Sequence, residues 1–397
     1  MPQSRVSSRT GRSRRFLAIV TSRAPSLGEA RSIPGPGTGF LTRPATRAVV
    51  SSEPGPVEEE DGASVAETIE SAQPRALSAS DRPTVSICIP TFNGAPWVRE
   101  AIESALAQDF ADSEVVVCDD ASSDDTVAVA RQFEDPRVRV VANRERVGLA
   151  RNWNRCVQAS RGAYVKLLMQ DDRLAPDCVR RMLEVMRQSP KVGMVFSARE
   201  IELDDPADPA SVLFRERFGE LHARLGPLSR VNDGRTLFAV LERDRFRDNL
   251  IGEPTAVLVS REALLRLGLF NIKLRQLTDL EMWLRIAYFY EVGFVAAPLV
   301  TFRVHKRSAS VANERSGSDW LDRLWLLEGL RTHPEIRRRL SWRAGARIWL
   351  LNYANAAKRL VTDGPRALRP HARELGDYLR FRLGRCRGEA LHEPLDG

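Results

Sequence analysis

The chain has 397 residues, 43% hydrophobic and 28% charged, with a formal net charge of +8. That is ordinary for a globular protein of one large or two smaller domains, and no apolar run approaches the roughly 20 residues of a membrane-spanning helix. The basic excess lies in residues 331–397, with fifteen Lys and Arg against seven acids; nucleic acid, which favours a basic patch with interleaved aromatics on the main domain, is not an expected partner.

Residues 1–82 are rich in Ser, Pro, Gly and Arg, hold the acidic block Glu58-Glu59-Glu60-Asp61, and show no sustained hydrophobic period. Such composition buries too little apolar surface to offset the entropy of ordering, so a disordered leader is expected. The run Phe16–Val20 is too short for a signal-peptide core. Five scattered cysteines, Cys88, Cys118, Cys156, Cys178 and Cys386, lack CxxC spacing. They fit reduced thiols in a cytoplasmic setting better than a zinc site or a disulfide framework.

Order begins at Pro83. Val85–Ile89 reads as a buried strand closed by Pro90-Thr91-Phe92-Asn93-Gly94, and the helix beyond Pro96 places Val98, Ile102, Ala105 and Leu106 on one face. A second strand, Glu114–Cys118, ends in Asp119-Asp120-Ala121-Ser122-Ser123-Asp124-Asp125-Thr126, where Ser123 or Asp124 can cap a helix over 126–133. A third strand, Val138–Val141, leads through Asn143 and Gly148 into a helix over 150–159. A fourth, from Tyr164, ends in Gln170-Asp171-Asp172, followed by a helix over 176–188 and a strand over 193–197. Four strand–helix alternations imply a mostly parallel sheet with helices on both faces. Neither GxGxxG after the first strand nor GxxxxGK[ST] occurs, so a bound nucleotide would be held by carboxylates and a metal.

Residues 200–250 are polar and without clear period. Structure resumes with a turn and strand over 252–259, a short helix Arg261–Leu267 closed by Gly268, and a helix from Thr278 with acids in its first turn. A strand over 299–304 precedes His305-Lys306-Arg307-Ser308, and from about Asp319 the chain is helical and rich in Leu, Trp and Arg.

Three carboxylate groups thus fall at strand ends or at a helix start: Asp119 with Asp120, Asp171 with Asp172, and Asp279 with Glu281. Acids at such points also serve as helix caps or macrodipole partners, a lone His305 is as readily structural, and Trp153 and Trp283 fit the core better than a sugar-stacking platform. The order and spacing of Ile89-Pro90-Thr91-Phe92-Asn93, Asp119 to Thr126, Gln170-Asp171-Asp172, Asp279 to Ala287, and Arg303-Val304-His305 with Ser308 resemble the family 2 glycosyltransferases of GT-A fold.

That resemblance, over roughly 83–310, implies an α/β, Rossmann-like GT-A domain that moves a sugar from a nucleotide-diphosphate donor, a UDP-sugar by preference, to an acceptor hydroxyl with inversion. The nucleotide half would span 83–200 and the acceptor half 201–310, with 311–397 a basic helical extension. It implies Asp279 as general base; Pro90, Thr91, Asn93, Asp120, Asp171 and Arg151 around the nucleotide; and Asp172 with His305 on a divalent cation, Mn2+ or Mg2+. Implied partners are the nucleotide sugar and a sugar, lipid-linked or small-molecule acceptor in cell-envelope glycan or glycoconjugate synthesis. Met169 and Thr278 stand where many members carry acids. Two other readings stay open: a catalytically silent nucleotide-sugar binder, and a membrane-surface interaction or scaffold protein acting through the basic tail, which holds Trp320, Trp325, Trp342 and Trp349; the enzyme itself could also sit peripherally at the inner membrane face through that tail.

Overall fold

The computed structural model describes residues 82–308 and, beyond them, 319–343, 372–382, 391–395 and a few positions between 345 and 354. The expected leader (Arg82 excepted), Cys386 and Trp349 lie outside the described residues.

The chain opens with β1 (Val85–Thr91), α1 (Val98–Leu106), β2 (Ser113–Asp119), α2 (Thr126–Ala130), β3 (Val138–Ala142), α3 (Leu149–Ala159) and β4 (Tyr164–Leu167). There follow β5 (Arg173–Leu174), α4 (Cys178–Met186), β6 (Val192–Leu203), α5 (Pro209–Phe218), β7 (Val231–Asn232) and α6 (Gly234–Arg243). After them come β8 (Val257–Ser260), α7 (Arg261–Leu267), α8 (Thr278–Phe289), β9 (Glu291–Val304), α9 (Asp319–Thr332), α10 (Pro334–Arg339) and α11 (Ala372–Arg382).

One nine-stranded sheet runs in the order β3-β2-β1-β4-β8-β6-β9-β5, with β7 on β9. β1 pairs parallel with both β2 and β4, and β6 with β9, while β8 runs antiparallel between β4 and β6. The chain leaves β1 toward β2 and β3, then returns to β4 on the other side. That reversal opens a crevice at the C-terminal ends of β1 and β4, where ligands bind in open α/β sheets.

Strand alternation divides the core between the two faces. Val85, Ile87 and Ile89 of β1, with Val115 and Val117 of β2, meet α1, α2 and α4. Cys88, Val116 and Cys118 point the other way, toward Trp153, Cys156 and Val157 of α3 and the cluster that holds α7 and α8.

Part of what the sequence sets apart as an extension belongs to that second cluster. Leu321, Leu324, Trp325, Leu327 and Leu330 of α9, Ile336 of α10, Tyr378 of α11, and Leu391 and Leu395 are all buried in it. Each such Leu contributes about 1.5–3 kcal/mol relative to exposure. The segment around His392 also bridges Asn271, and His392 Nε2 lies 3.0 Å from Glu281 Oε1. Glu281 is buried with Arg285, Nε to Oε1 2.9 Å, and the Arg285 guanidinium donates to the carbonyls of Leu267, Gly268 and Leu269 at the end of α7. Burial would raise the Glu281 carboxyl, but Arg285 and His392 outweigh it and hold it at about 2.

α9 also secures the start of α8. Asp322 Oδ2 accepts from the backbone N–H groups of Arg275, Gln276 and Leu277, at 3.0, 2.5 and 3.1 Å. These lie in the turn that leads into the helix, where donors lack partners within the helix. Asp322→Ala is expected to lower unfolding free energy by about 1–3 kcal/mol, read as a lower denaturant midpoint; an unchanged midpoint would mean that solvent replaces the carboxylate without cost.

Candidate functional site

The crevice at the strand reversal continues into a cleft of about 460 Å³ lined by Pro90, Thr91, Asn93, Asp120, Asp171, Glu253, Thr278, Asp279 and His305 among others. A larger hollow, about 870 Å³, lies among the C-terminal helices; its described lining residues include no carboxylate and none of those that line this cleft.

The end of the cleft beside β1 and β2 is assembled by hydrogen bonds to two carboxylates. Asp119 ends β2 and accepts from the Thr91 hydroxyl (2.9 Å) and from both N–H and Oγ of Ser122. Asp120 accepts from Asn143 Nδ2 and Val147 N on Oδ1, and from Gly148 N on Oδ2 at 2.9 Å. Gly148 adopts φ +92°, which glycine takes without a Cβ clash, and so turns its N–H onto that oxygen. One lone pair of Oδ2 is left for an incoming donor. Asn93, at φ +50°, spends its side-chain oxygen on Ser123, so it shapes the loop as well as lining the cleft. Asn152 of α3 donates to the carbonyls of Thr91 and Cys118, tying α3 to the ends of both β1 and β2.

Asp171 and Asp172 sit on the turn after β4, and they point differently. The sequence reading gave the metal to Asp172; the structure lays Asp172 beneath the cleft floor, 1% exposed. Its Oδ2 accepts from the Thr255 hydroxyl at 2.5 Å and its Oδ1 from Arg303 N at 3.0 Å. Burial pushes its carboxyl well above the usual range. The cause is the next strand: β5 pairs with β9 directly after Asp172, which turns this side chain inward against Arg303. Asp171 lines the cleft instead, with Oδ2 2.9 Å from His305 Nε2. His305 follows the end of β9 and stacks on Trp97 at 4.0 Å between centroids.

Arg151, expected at the nucleotide, does not line the cleft. Ala150, Trp153, Cys156 and Val157 form the inward face of α3, so Arg151 points out toward Glu393 at 4.0 Å, half-exposed. Arg146, in the preceding loop, lines the cleft, its guanidinium 4.0 Å from the centre of the Phe92 ring. Sequence reasoning also missed Glu253, Trp97, Asn152 and Arg307. Arg307 lies over Trp97 and follows His305 by two residues, a link that only the fold of β9 and α1 reveals.

At the other end Asp279 lies in the first turn of α8. Its Oδ1 accepts from Leu280 N at 2.7 Å and its Oδ2 from Asn249 Nδ2 at 2.9 Å. Burial, helped by the charge of Glu253 and opposed by these two donors, pushes the carboxyl up to about 7. Glu281 projects from the far side of α8 into its pair with Arg285. A single cleft therefore joins the Asp171–His305 pair to a carboxyl that burial raises to about 7.

A family model described as Glycosyl transferase family 2 matches residues 86–249. The uncharacterized protein MT1568 of Mycobacterium tuberculosis is 32% identical over 268 residues, which cover 68% of this chain and 81% of that protein. The putative teichuronic acid biosynthesis glycosyltransferase TuaG of Bacillus subtilis is 28% identical over 219 residues, 54% of this chain and 75% of its own. Among solved structures, S. aureus TarS 1–349 in complex with UDP-GlcNAc superposes with a TM-score of 0.53 at 13% identity, covering 75% of this chain and 81% of that one. The last likeness concerns the fold alone, a GT-A fold with a mixed, mostly parallel sheet. Taken with the carboxylates at the ends of β2 and β4 and at the start of α8, these likenesses place the chain in glycosyl transferase family 2.

Proposed function

We propose that the protein transfers a sugar from a nucleotide-diphosphate donor, a UDP-sugar by preference, to a hydroxyl of a glycan acceptor with inversion, in polysaccharide synthesis. The observation that carries this reading is the placement of Asp279, with its carboxyl at about 7, in the same cleft as Asp171 and His305. The name of TuaG supports the polysaccharide setting.

Asp171 and His305 fit a divalent cation. One carboxylate oxygen and one imidazole nitrogen, 2.9 Å apart, form a mixed donor set that suits Mn2+ better than the all-oxygen preference of Mg2+. Among the described residues no three His, Cys, Asp or Glu converge, so these two side chains are the ones that would hold it. Such a cation supplies positive charge to the departing diphosphate.

The chain's own groups do the rest. Asp120 accepts from an N–H at the edge of the base, and Arg146, carried on Phe92, brings positive charge to the nucleotide end. Asp279 Oδ2 takes the proton of the acceptor hydroxyl as its oxygen forms a bond to the anomeric carbon. The bond from that carbon to the diphosphate oxygen breaks, and its electron pair leaves with the nucleotide. Asn249 fixes Asp279 throughout. Near pH 7 a base with this pKa is about half deprotonated, which balances availability against basicity. Among the described residues no helix is long and apolar enough to cross a membrane. The arginine-rich stretch after α9, with Trp342 77% exposed, suits contact with an anionic surface bearing lipid-linked acceptors.

Nucleotide release from a panel of NDP-sugars with Mn2+ or Mg2+ tests the reading. Slow metal-dependent release from one donor is expected. Metal-dependent UDP binding with no release from any donor would favour a silent binder, and no UDP binding would sink the reading.

A further inference from the structure

Two polar atoms in the cleft wall beside Asp279 are buried and make no hydrogen bond, although one of them is held by an ion pair. Glu253 Oε2 receives no hydrogen bond, and the Thr278 hydroxyl makes none. Both residues line the cleft, and Thr278 directly precedes the base. Buried polar atoms in native proteins are nearly always hydrogen-bonded, so an orphan hydroxyl beside a carboxylate oxygen held by an ion pair alone, in one cavity wall, calls for a reason.

Glu253 is held with care for a residue so placed. Gly252, just before it, has its carbonyl taken by Asn249 Nδ2 at 2.8 Å and by Trp283 Nε1 at 3.1 Å. Thr255, two residues on, donates its hydroxyl to Asp172. Behind the carboxylate lies Arg199 of β6, its side chain 1% exposed. Its Nη2 donates to Oε1 at 3.1 Å, while its Nε approaches Oε2 to 2.7 Å but too obliquely for a hydrogen bond. A second bond from Arg199 to the carbonyl of Phe218 fixes the guanidinium. A pair meant only to tie β6 to the turn would be fully covered, yet the Glu253 side chain keeps 19% exposure in the cavity that holds the base.

Resting on the transferase reading, we propose that Glu253 and Thr278 form the acceptor subsite, anchoring a second hydroxyl of a neutral sugar so that a neighbouring hydroxyl reaches Asp279. Glu253 accepts a hydrogen bond from that second hydroxyl, and the Thr278 hydroxyl donates to its oxygen. Arg199 offsets the charge of Glu253, but Glu253 and Asp279 together still present two carboxylates to the incoming ring. A uronic acid at this subsite meets like charge, so the acceptor ring seated here is an uncharged one.

The test uses the full chain with the donor it cleaves, Mn2+, and two sets of probes: methyl glycosides of neutral hexoses and the corresponding methyl uronosides. A neutral glycoside is expected to accelerate nucleotide release in the parent, and the uronosides are not. Glu253→Gln should raise the half-saturating glycoside concentration about tenfold or more, the cost of losing a hydrogen bond to a charged acceptor, and narrow the gap to the uronosides. Thr278→Val keeps the side-chain shape and removes an orphan hydroxyl. It should raise half-saturation severalfold without lowering the melting temperature, which guards against a mere folding defect. UDP affinity in the presence of Mn2+ should stay within about twofold in both variants, since neither residue hydrogen-bonds Asp120 or Arg146, to which the transferase reading gives the nucleotide. Unchanged half-saturation in both, or a parent that binds UDP yet responds to no neutral glycoside, overturns the subsite. Loss of UDP binding in the parent would instead overturn the transferase reading beneath it.

Discussion

Asp279→Asn lowers glycosyl transfer by about 10²–10⁴-fold, the usual contribution of a positioned general base, while donor binding changes little. The parent's rate rises with pH through about 7 and levels off above, because the buried carboxyl must lose its proton before it can take another. The asparagine variant lacks this limb. A residual rate that still rises through pH 7 would assign the base elsewhere.

The same residue sets part of the stability profile. Its carboxyl lies near 7 when folded, against an ordinary 3.8. The folded chain therefore binds that proton more tightly than the unfolded chain. The stabilisation is full below about pH 4 and is lost as pH rises through 7, at most about 4 kcal/mol. Burial holds His222 and His392 below their ordinary 6.5, which gives the opposite slope. Their contribution is full above 6.5 and fades as pH falls below it. Melting temperatures across pH 4–8 should fall more gently above pH 5 in the variant than in the parent.

Alanine at Asp171 and at Asp172, two adjacent positions, should give opposite phenotypes. Asp171→Ala abolishes the response of nucleotide release to Mn2+ and leaves the melting temperature within a few degrees, because this side chain serves the cleft. Asp172→Ala strips a buried acceptor from the Thr255 hydroxyl and from Arg303 N–H. Each orphaned donor costs about 1–3 kcal/mol, so a total loss of about 2–5 kcal/mol is expected from denaturant titration. A stable Asp172→Ala protein that no longer responds to metal would return the metal to Asp172.

That pair marks the limit of what the sequence reveals. Both acids at the end of β4 are legible, since an apolar run closed by carboxylates has one evident place in a parallel sheet. Which of them faces the ligand depends on Arg303 and Thr255, more than eighty residues away, and no local pattern carries that. Arg151 was more accessible to reasoning. Counting 100° per residue from Ala150, Trp153 and Val157 already turns it outward, whereas Arg146, in an irregular loop, follows no period. The stretch 200–250 looked structureless because α5 has no marked apolar face, yet its start was signalled. Asp208 caps α5 ahead of Pro209, and Asp233 caps α6, each accepting from the N–H three residues on. Asp322 gave no sign at all; an acid in a helix reads as surface until the turn it serves, 45 residues earlier, is in place.

The docking of residues 391–395 beside α3 and α8 bears on how the domain is completed as it leaves the ribosome. Glu281 and Arg285 emerge more than a hundred residues before His392. At about 5–20 residues per second, that is an interval of about 5–20 seconds. Throughout it the edge formed by Phe270–Ile272 has no partner for the N–H groups of Leu269 and Ile272, which the finished protein ties to the carbonyls of Glu393 and Leu391. Until then α8 and this edge stay uncovered on that side, and chaperones that bind unpaired edges have their opportunity at that step.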